Sequence, residues 1–407
     1  MSSEEILGCI NLWKIKMYTL LIHFKNRCQQ ILKTLQFLFT IPYFCYKSRP
    51  RSSFHMFRIC KITILLFLFQ IVQPVECQTK KYKVMTIGFY NVENLFDTID
   101  DPDTIDEDYT LDGKNHYSHE DYKQKLKHMA KVISEIGSTL KSNGPVILGL
   151  AEIENFKVLH DLVQTDELQR GQYQIIHQDS PDKRGIDVAL LYRQEFFSPL
   201  GTEFIEVKLW SEKGQRIYTR DILYVYGILE DEELHILVNH WPSRRGGKTR
   251  SNPKRIKAAY LVKQITDRIL IENSSAKIII MGDFNDDPGD ESIKNGLLSV
   301  SAVEQETGKR FFNPMERMHK KGFNTLAYRD GLNLFDQIII CNNLIRADQE
   351  ASGYLFFRAG IYNPSYLIAK QGKYRGYPLR SFENNRYSGG YSDHFPVYIE
   401  LIRPFSN

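Results

Sequence analysis

Seven short apolar segments, each with polar residues at one end, constrain the fold of this 407-residue chain more than any other feature. They are VMTIGFY (84–90), PVILGLA (145–151), IDVALLY (186–192), LHILVN (234–239), KIIIMG (277–282), QIIIC (337–341) and FPVYIEL (395–401). Their length and their branched aliphatic residues predict β-strands. In α/β and α+β enzymes, functional groups collect at strand ends. We therefore expect one pocket that is rich in carboxylate, amide and imidazole groups.

Two segments between these strands carry helix signals. Ser118 and Asp121 have the spacing of a capping box, and apolar residues follow at helical spacing. Asn252-Pro253 predicts the start of a second helix, with Pro253 at the first helical position. Because no linker or internal repeat interrupts residues 82–403, we expect one α/β (α+β) domain of two packed sheets with outer helices.

The first 77 residues have the character of a leader. From Met56, two basic residues precede an apolar core at 62–72 and a polar exit, which is the layout of a secretory signal peptide at 56–77. We interpret residues 1–55 as an upstream extension of the reading frame, with a genuine membrane-proximal tail as the alternative. A lipid anchor at Cys77 is disfavoured because Glu76 stands where a lipoprotein signal needs a small residue. We expect an exported protein, periplasmic or extracellular.

The net charge of +4 belongs to this leader. Residues 1–77 contain ten Lys or Arg and three Asp or Glu, which leaves 43 basic and 46 acidic residues in 78–407. The proposed mature chain therefore carries about three negative charges. Bulk charge gives no support for a polyanionic partner, and any such argument must rest on local clusters.

The polar strand ends resemble the endonuclease/exonuclease/phosphatase superfamily, which is deoxyribonuclease I-like. The matching residues are Asn91-x-Glu93, Glu152, His240, the G-D-F-N run at 282–285, Asp336 and Ser392-Asp393-His394. The resemblance covers residues 82–403 and implies a four-layer sandwich of two mixed β-sheets flanked by helices. It also implies a metal-dependent phosphoester hydrolase. The E-I-E-N and H-W-P-S-R-R runs look most like bacterial exported members.

The resemblance implies a Mg²⁺ site, with Mn²⁺ or Ca²⁺ as alternatives. Glu152 would be the principal metal ligand, with Asn91 and Asp393 nearby. Glu93 is divided between a metal-binding and a supporting role. Mg²⁺ prefers oxygen ligands and keeps several waters, so a few such groups suffice.

The resemblance also implies roles for the remaining groups of the pocket. Asp283 would orient or deprotonate the attacking water, and Asn285 would donate its amide to the phosphate. His394 would contact the phosphate and pair with Asp336, and the general base is either Asp283 or His394. His240 would give the leaving group its proton. Further roles fall to Asp187, proposed to orient His240, and to Arg184, a predicted substrate contact together with Asn91 and Asn285.

Loop composition suggests the substrate. Residues 244–257 contain seven Lys or Arg and no acidic residue, so Arg244 and Arg245 are expected to contact flanking phosphates. Residues 354–391 interleave aromatic and basic side chains, which suits nucleobase stacking. A solvated basic face and a packed tyrosine-rich loop are the alternatives. The acidic stretch 97–108 is predicted to be a solvated surface loop.

The leading hypothesis is an exported nuclease, active as a monomer on DNA or RNA. The alternative is a lipid phosphodiesterase of the sphingomyelinase type or another phosphoester hydrolase of the same superfamily. A lipid enzyme needs an exposed apolar hairpin for membrane docking, and the candidate segment is Tyr354-Leu-Phe-Phe357.

Overall fold

The computed structural model describes residues 81–137, 144–300, 311–328, 331–345 and 353–404. The proposed extension 1–55, the signal peptide 56–77 and Cys77 lie outside the described residues. Within the described ranges, every helix is too short or too polar to cross a membrane. The described residues belong to one compact unit, Lys80–Asn407.

The strands and helices alternate along the chain. The strands are β1 (Tyr82–Leu95), β2 (Ile147–Ile153), β3 (Tyr173–His177), β4 (Asp187–Arg193), β5 (Phe197–Ile205), β6 (Leu209–Trp210), β7 (Arg216–Ile217), β8 (Ile222–Leu229), β9 (Glu232–His240), β10 (Lys277–Asp283), β11 (Ser299–Val300), β12 (Phe311–Phe312), β13 (Leu326–Tyr328), β14 (Gly331–Asn333), β15 (Asp336–Cys341), β16 (Leu355–Ile361), β17 (Phe382–Glu383), β18 (Arg386–Tyr387) and β19 (Val397–Pro404). The helices are α1 (His119–Glu135), α2 (Phe156–Val163), α3 (Asp166–Gln169), α4 (Lys248–Glu272) and α5 (Pro314–Lys320).

Two mixed sheets form the centre of the fold. The first has six strands in the order β16-β19-β1-β2-β4-β3, and the second has seven in the order β11-β12-β15-β10-β9-β8-β5. The β1–β2 and β9–β10 pairs are parallel, whereas β1–β19 and β10–β15 are antiparallel. Each sheet thus combines a parallel pair with antiparallel neighbours, which is the arrangement of a mixed sheet.

Apolar side chains join the two sheets and attach a helical layer to each. Ile87 and Phe89 of β1 belong to the same buried cluster as Ile236 and Val238 of β9. Helix α4 packs into that cluster through residues such as Val262. Helices α1 and α2 cover the other face of the first sheet in a second cluster. The layers are helix, sheet, sheet and helix, so the predicted four-layer sandwich is confirmed.

All seven predicted strands are present, and the predicted start of α1 is confirmed. Ser118 accepts a hydrogen bond from the backbone of Asp121, whose side chain accepts one from the backbone of Ser118. The predicted start of α4 at Asn252-Pro253 is wrong. Helix α4 begins at Lys248, after Gly247 with φ 104°, and Pro253 lies inside the second turn.

Most of the acidic stretch 97–108 is exposed, as its composition predicts, but Asp97 and Asp106 are buried. The Asp97 amide donates to a Glu154 carboxylate oxygen at 2.6 Å, and the Ile105 amide donates to the Lys183 carbonyl at 2.8 Å. These contacts fold the stretch back against the chain that precedes β4. Composition alone misses this because the partners come from distant segments.

Candidate active site

The polar ends of six strands meet at one edge of the sandwich. β1 contributes Asn91 and Glu93, β2 contributes Glu152, and β9 ends at His240. In the second sheet, Asp283 at the end of β10 pairs in register with His240 on one side and Asp336 on the other. Asp393 and His394 stand just ahead of β19. The convergence expected from the sequence is therefore present.

Four residues in or beside this edge have left-handed backbone conformations that side chains other than glycine rarely adopt. They are Glu93 (φ 50°), Asn94 (φ 51°), Glu152 (φ 65°) and Asn285 (φ 51°). Such conformations persist only where the surrounding contacts enforce them, and they are frequent at functional sites. Here they turn the chain at the ends of β1, β2 and β10.

His394 and Asp336 form a buried pair. Nδ1 of His394 lies 2.7 Å from Oδ2 of Asp336. Burial by itself would lower the pKa of His394, but the Asp336 carboxylate, together with Asp283 and Asp393, raises that pKa well above its usual value. The pair therefore holds a charged imidazolium with its Nε2 directed toward the pocket, 3.9 Å from Oδ2 of Asp283.

Asp283 is the centre of the constellation. Its Oδ2 accepts a hydrogen bond from Nδ2 of Asn91 at 3.1 Å and lies 3.6 Å from Nε2 of His240. Its Oδ1 accepts the backbone N–H of Asn285 at 2.9 Å. Burial raises the pKa of Asp283 to about 6, with His394 opposing the rise and Asp336 adding to it. The carboxylate is thus predominantly ionised above neutral pH and faces both histidines.

His240 occupies a different electrostatic environment from His394. Burial, followed by the charges of Arg220, Arg184 and His394, lowers the pKa of His240 well below its usual value. Arg220 lies close by, since its Nε donates to the His240 carbonyl at 3.1 Å. His240 is therefore neutral, whereas His394 is charged.

The proposed pairing of Asp187 with His240 is wrong. Asp187 instead accepts hydrogen bonds from the backbone of Ser180 at 2.9 Å and faces Nε2 of His177 at 3.3 Å. Nδ1 of His240 is buried and has no hydrogen-bond partner within the described ranges. Adjacent strands suggested the pair, but the loop after β3 folds over Asp187 first.

The residues expected to hold Mg²⁺ offer suitable oxygen atoms. One Glu152 oxygen accepts the Asn94 amide at 2.9 Å, and the other lies 3.9 Å from Nε2 of His240. One Asp393 oxygen pairs with Arg380 at 3.1 Å, and the other lies 3.9 Å from Nε2 of His394. Each carboxylate is thus anchored at one oxygen and turned toward the histidines at the other, and such hard oxygen donors fit Mg²⁺.

Two further observations concern residues that could bind a metal ion. Asp283, Asp336 and His394 also offer ligand atoms within 4.8 Å of one another, although Nδ1 of His394 is already bonded to Asp336. Glu93 is buried, and both of its carboxylate oxygens are bonded, one to Arg380 and one to the Ser381 amide. We therefore assign Glu93 the supporting role of the two that the sequence left open.

Arg244 is not part of an exposed rim. It is 8% exposed, and its guanidinium contacts Asp286 at 3.3 Å and Asp290 at 2.8 Å. Its Nε donates to the Asn285 carbonyl at 2.8 Å, so it fixes the turn after β10. The basic run looked unpaired because its acidic partners lie about 40 residues further along the chain.

The other predicted contacts keep their positions near the pocket. Asn285 donates its side-chain amide to the Trp241 carbonyl at 3.0 Å and stays beside Asp283. Arg184 is partly exposed and close enough to lower the pKa of His240. Arg245 is exposed on the loop that follows β9.

Sequence reasoning missed three cations that build the site. Arg380 bridges Glu93 and Asp393, and buried Lys125 donates to the Glu93 carbonyl and to Oγ of Ser381. Arg220 holds the end of β9. None of them adjoins a strand that the sequence pattern predicted, so the signal that located the acidic residues and histidines could not find them.

The comparisons with known proteins agree with this geometry. Residues 86–403 match the model of the endonuclease/exonuclease/phosphatase family, and the chain belongs to that family. No curated protein sequence matches it significantly.

The chain is similar to several solved structures at low sequence identity. TDP2 from D. rerio, in complex with single-stranded DNA product, is 15% identical (TM-score 0.46) over 78% of this chain and 99% of its own. The human nocturnin catalytic domain with bound sulfate is 14% identical (TM-score 0.47) over 79% and 97%. A mannosyl-6-phosphatase from Bacteroides thetaiotaomicron is 15% identical (TM-score 0.45) over 78% and 99%. These likenesses concern the fold.

Proposed function

We propose that this chain is an exported, Mg²⁺-dependent phosphodiesterase that cleaves nucleic acid. The observation that carries the proposal is the position of Asp283, whose Oδ2 lies 3.9 Å from Nε2 of His394, 3.6 Å from Nε2 of His240 and 3.1 Å from Nδ2 of Asn91. An ionised carboxylate and an imidazolium on the same pocket provide an acceptor and a donor for the two proton transfers of phosphoester hydrolysis.

The chain's own groups account for both transfers. A water attacks phosphorus and gives a proton to the Asp283 carboxylate while the bond to the leaving oxygen breaks. The imidazolium of His394 gives its Nε2 proton to that oxygen, and Asp336 keeps the ring oriented through Nδ1. Mg²⁺ held by Glu152, Asp393 and Asn91 would neutralise developing negative charge on the phosphate.

This scheme departs from the role that the family resemblance implied for His240. A neutral imidazole with a lowered pKa is a poor donor for the leaving group. We therefore propose that neutral His240 orients the phosphate and that His394 supplies the proton. Asn285, next to Asp283, would donate to a second phosphate oxygen.

Export and substrate are the finer parts of the proposal. The arrangement of residues 56–77 as a signal peptide supports export. The lipid alternative has little support, because the candidate docking segment is not an exposed hairpin. Tyr354 is buried, Phe356 packs on Phe312, and residues 355–361 form strand β16.

A substrate panel tests the proposal. Purified protein is assayed on single- and double-stranded DNA, RNA, sphingomyelin and bis(p-nitrophenyl) phosphate, each with Mg²⁺ and with chelator. We expect Mg²⁺-dependent cleavage of nucleic acid and of the small diester. Sphingomyelin turnover without nucleic-acid cleavage would reject the nuclease in favour of the lipid enzyme.

A further inference from the structure

Residues 368–380, here called the basic arm, form a hairpin between β16 and β19. The Ala369 amide donates to the Tyr377 carbonyl, and the Gly376 amide donates back to the Ala369 carbonyl, both at 2.9 Å. Ile368 and Pro378 form a bridge below them. The arm therefore has a closed stem and an exposed tip at 370–376.

The base of the basic arm is fixed to the active site. Arg380, its last residue, contacts Glu93 at 3.2 Å and Asp393 at 3.1 Å. The adjoining Ser381 amide donates to Glu93, and the Tyr391 amide donates to the Leu379 carbonyl at 2.7 Å. The tip thus projects from the side of the pocket where Asp393 lies.

The tip carries three cations. Lys370, Lys373 and Arg375 are exposed, and within the described ranges none of them pairs with a carboxylate. The sequence contains no Asp or Glu from residue 353 to residue 382. Clusters of unpaired cations beside a phosphate-cleaving site attract a polyanion.

The other basic segment, residues 244–257, is electrostatically different. Three of its cations, two of them buried and one exposed, are paired with acidic residues of the turn after β10. They are Arg244, Lys248 and Arg255. The sequence predicted both segments as substrate contacts. The fold pairs three of the seven cations of 244–257 with carboxylates, whereas all three cations at the tip of the basic arm are unpaired within the described ranges.

The tip also exposes an aromatic surface. Tyr374 is 39% exposed, and its ring centroid lies 6.0 Å from that of Tyr377. Nζ of Lys373 lies 5.5 Å from the centroid of the Tyr374 ring. An exposed ring next to cations suits a nucleobase with its phosphate, as in proteins that bind single strands. A phospholipid headgroup would use the cations but not the ring.

We propose that the basic arm binds a single nucleic-acid strand and leads it to the pocket from the Asp393 side. This inference rests on the proposed nuclease function. Lys370, Lys373 and Arg375 contact successive phosphates, and Tyr374 stacks on one base. The 244–257 segment then contributes little to strand binding.

Direct binding tests the arm without depending on cleavage. The probe is a fluorescent single-stranded oligonucleotide titrated into Glu152→Gln protein, whose metal site is impaired, at several salt concentrations. The test variant adds Lys370→Glu, Lys373→Glu and Arg375→Glu. The matched control adds Arg250→Glu, Lys254→Glu and Lys257→Glu, three cations of helix α4 in the other segment that are not predicted substrate contacts.

We expect the arm variant to weaken binding at least about tenfold and to reduce the slope of log K against log salt by about 2, for three lost phosphate contacts. Tyr374→Ala should weaken binding about fivefold or more, with the salt slope unchanged. The control triple variant should change affinity less than threefold, because the proposal places the strand on the basic arm and not on the 244–257 segment.

Other results would contradict the proposed role of the basic arm. If the control variant lost as much affinity for the oligonucleotide as the arm variant, or more, the strand would not bind mainly to the basic arm. Unchanged affinity in the arm variant would exclude the arm as a binding site. Arm-dependent binding to phosphatidylserine vesicles, with none to the oligonucleotide, would identify a membrane as the partner. The arm could also bind the oligonucleotide in a wild-type protein that cleaves only small diesters. That result would support the proposal for the arm and reject the proposed nuclease activity.

Discussion

Nδ1 of His394 lies 2.7 Å from Oδ2 of Asp336, although the two residues are 58 positions apart in sequence. Asp336 opens β15, and His394 precedes β19 in the other sheet. The pair therefore links the two sheets at the edge where the pocket lies. It also distinguishes the two histidines, because Nδ1 of buried His240 has no such carboxylate among the residues that the structure describes.

The Asp336 carboxylate can be tested by an isosteric change. Asp336→Asn should lower kcat on nucleic acid by about 10³-fold, because the amide neither supports the imidazolium nor fixes the ring in the productive tautomer. Steady-state kinetics measure the loss, and thermal unfolding checks that the variant is folded. A kcat within about threefold of wild type would remove Asp336 from the mechanism.

The metal site predicts a specific dependence on Glu152. Chelation should abolish turnover, and added Mg²⁺ should restore it. Glu152→Gln should raise the Mg²⁺ concentration for half-maximal activity at least about tenfold, because a ligand charge is lost. Glu195→Gln, which changes an exposed carboxylate, is the matched control and should leave it unchanged. Equal metal curves for both variants would show that Glu152 holds no metal.

Arg244 should behave as a buried structural cation. Arg244→Ala removes a buried cation from Asp286 and Asp290, which keep Arg255 and Lys248 as partners, so we expect the free energy of unfolding to fall by about 1.5–3 kcal/mol. Arg245→Ala, on the exposed neighbour, should change it by less than about 0.5 kcal/mol. Urea unfolding measures both. A stable Arg244→Ala protein with raised KM for polynucleotide would restore the exposed-rim interpretation.

Asp221 predicts a pH-dependent stability. Burial, with smaller contributions from Glu206 and Asp187, raises the pKa of this carboxyl to about 6, and its Oδ1 is buried without a partner in the described part of the chain. The folded state therefore binds a proton more tightly than the unfolded state, and stability from this group falls as pH rises from about 4 to 6.

Replacing that carboxyl by an amide removes the buried charge. Asp221→Asn should raise Tm at pH 7–8, where the wild-type group is charged, and should give no gain near pH 4. The expected rise is about 1–2 °C per kcal/mol for a domain of this size. Differential scanning calorimetry at the two pH values measures it. A Tm gain that is the same at both would contradict a titrating Asp221.

The central strands and most pocket residues could be predicted from the sequence because one pattern encodes both. A buried strand needs a continuous apolar run, and a polar residue at its end is conspicuous, as at Glu152, His240 and Asp283. Strand β5 lacks such a run, since it lies at an edge and alternates between buried and exposed residues. Its pattern is weaker for that reason.

Pairing across the fold could not be predicted. Arg244 looked free because Asp290 lies 46 residues away, and Arg380 gave no signal because Glu93 lies 287 residues away. The charge of a histidine depends on such tertiary neighbours as well. The sequence therefore located both histidines of the pocket but could not say that one is charged and the other neutral.

The most direct test of the account compares His394→Gln and His240→Gln on two leaving groups. A p-nitrophenolate departs without a proton, whereas the sugar hydroxyl of a nucleic acid needs one. If His394 supplies that proton, His394→Gln should lower kcat on an oligonucleotide by about 10²–10⁴-fold and on bis(p-nitrophenyl) phosphate far less. His240→Gln should lower both equally. The reverse pattern, with the leaving-group dependence in His240→Gln, would contradict the assignment of His394 as the proton donor.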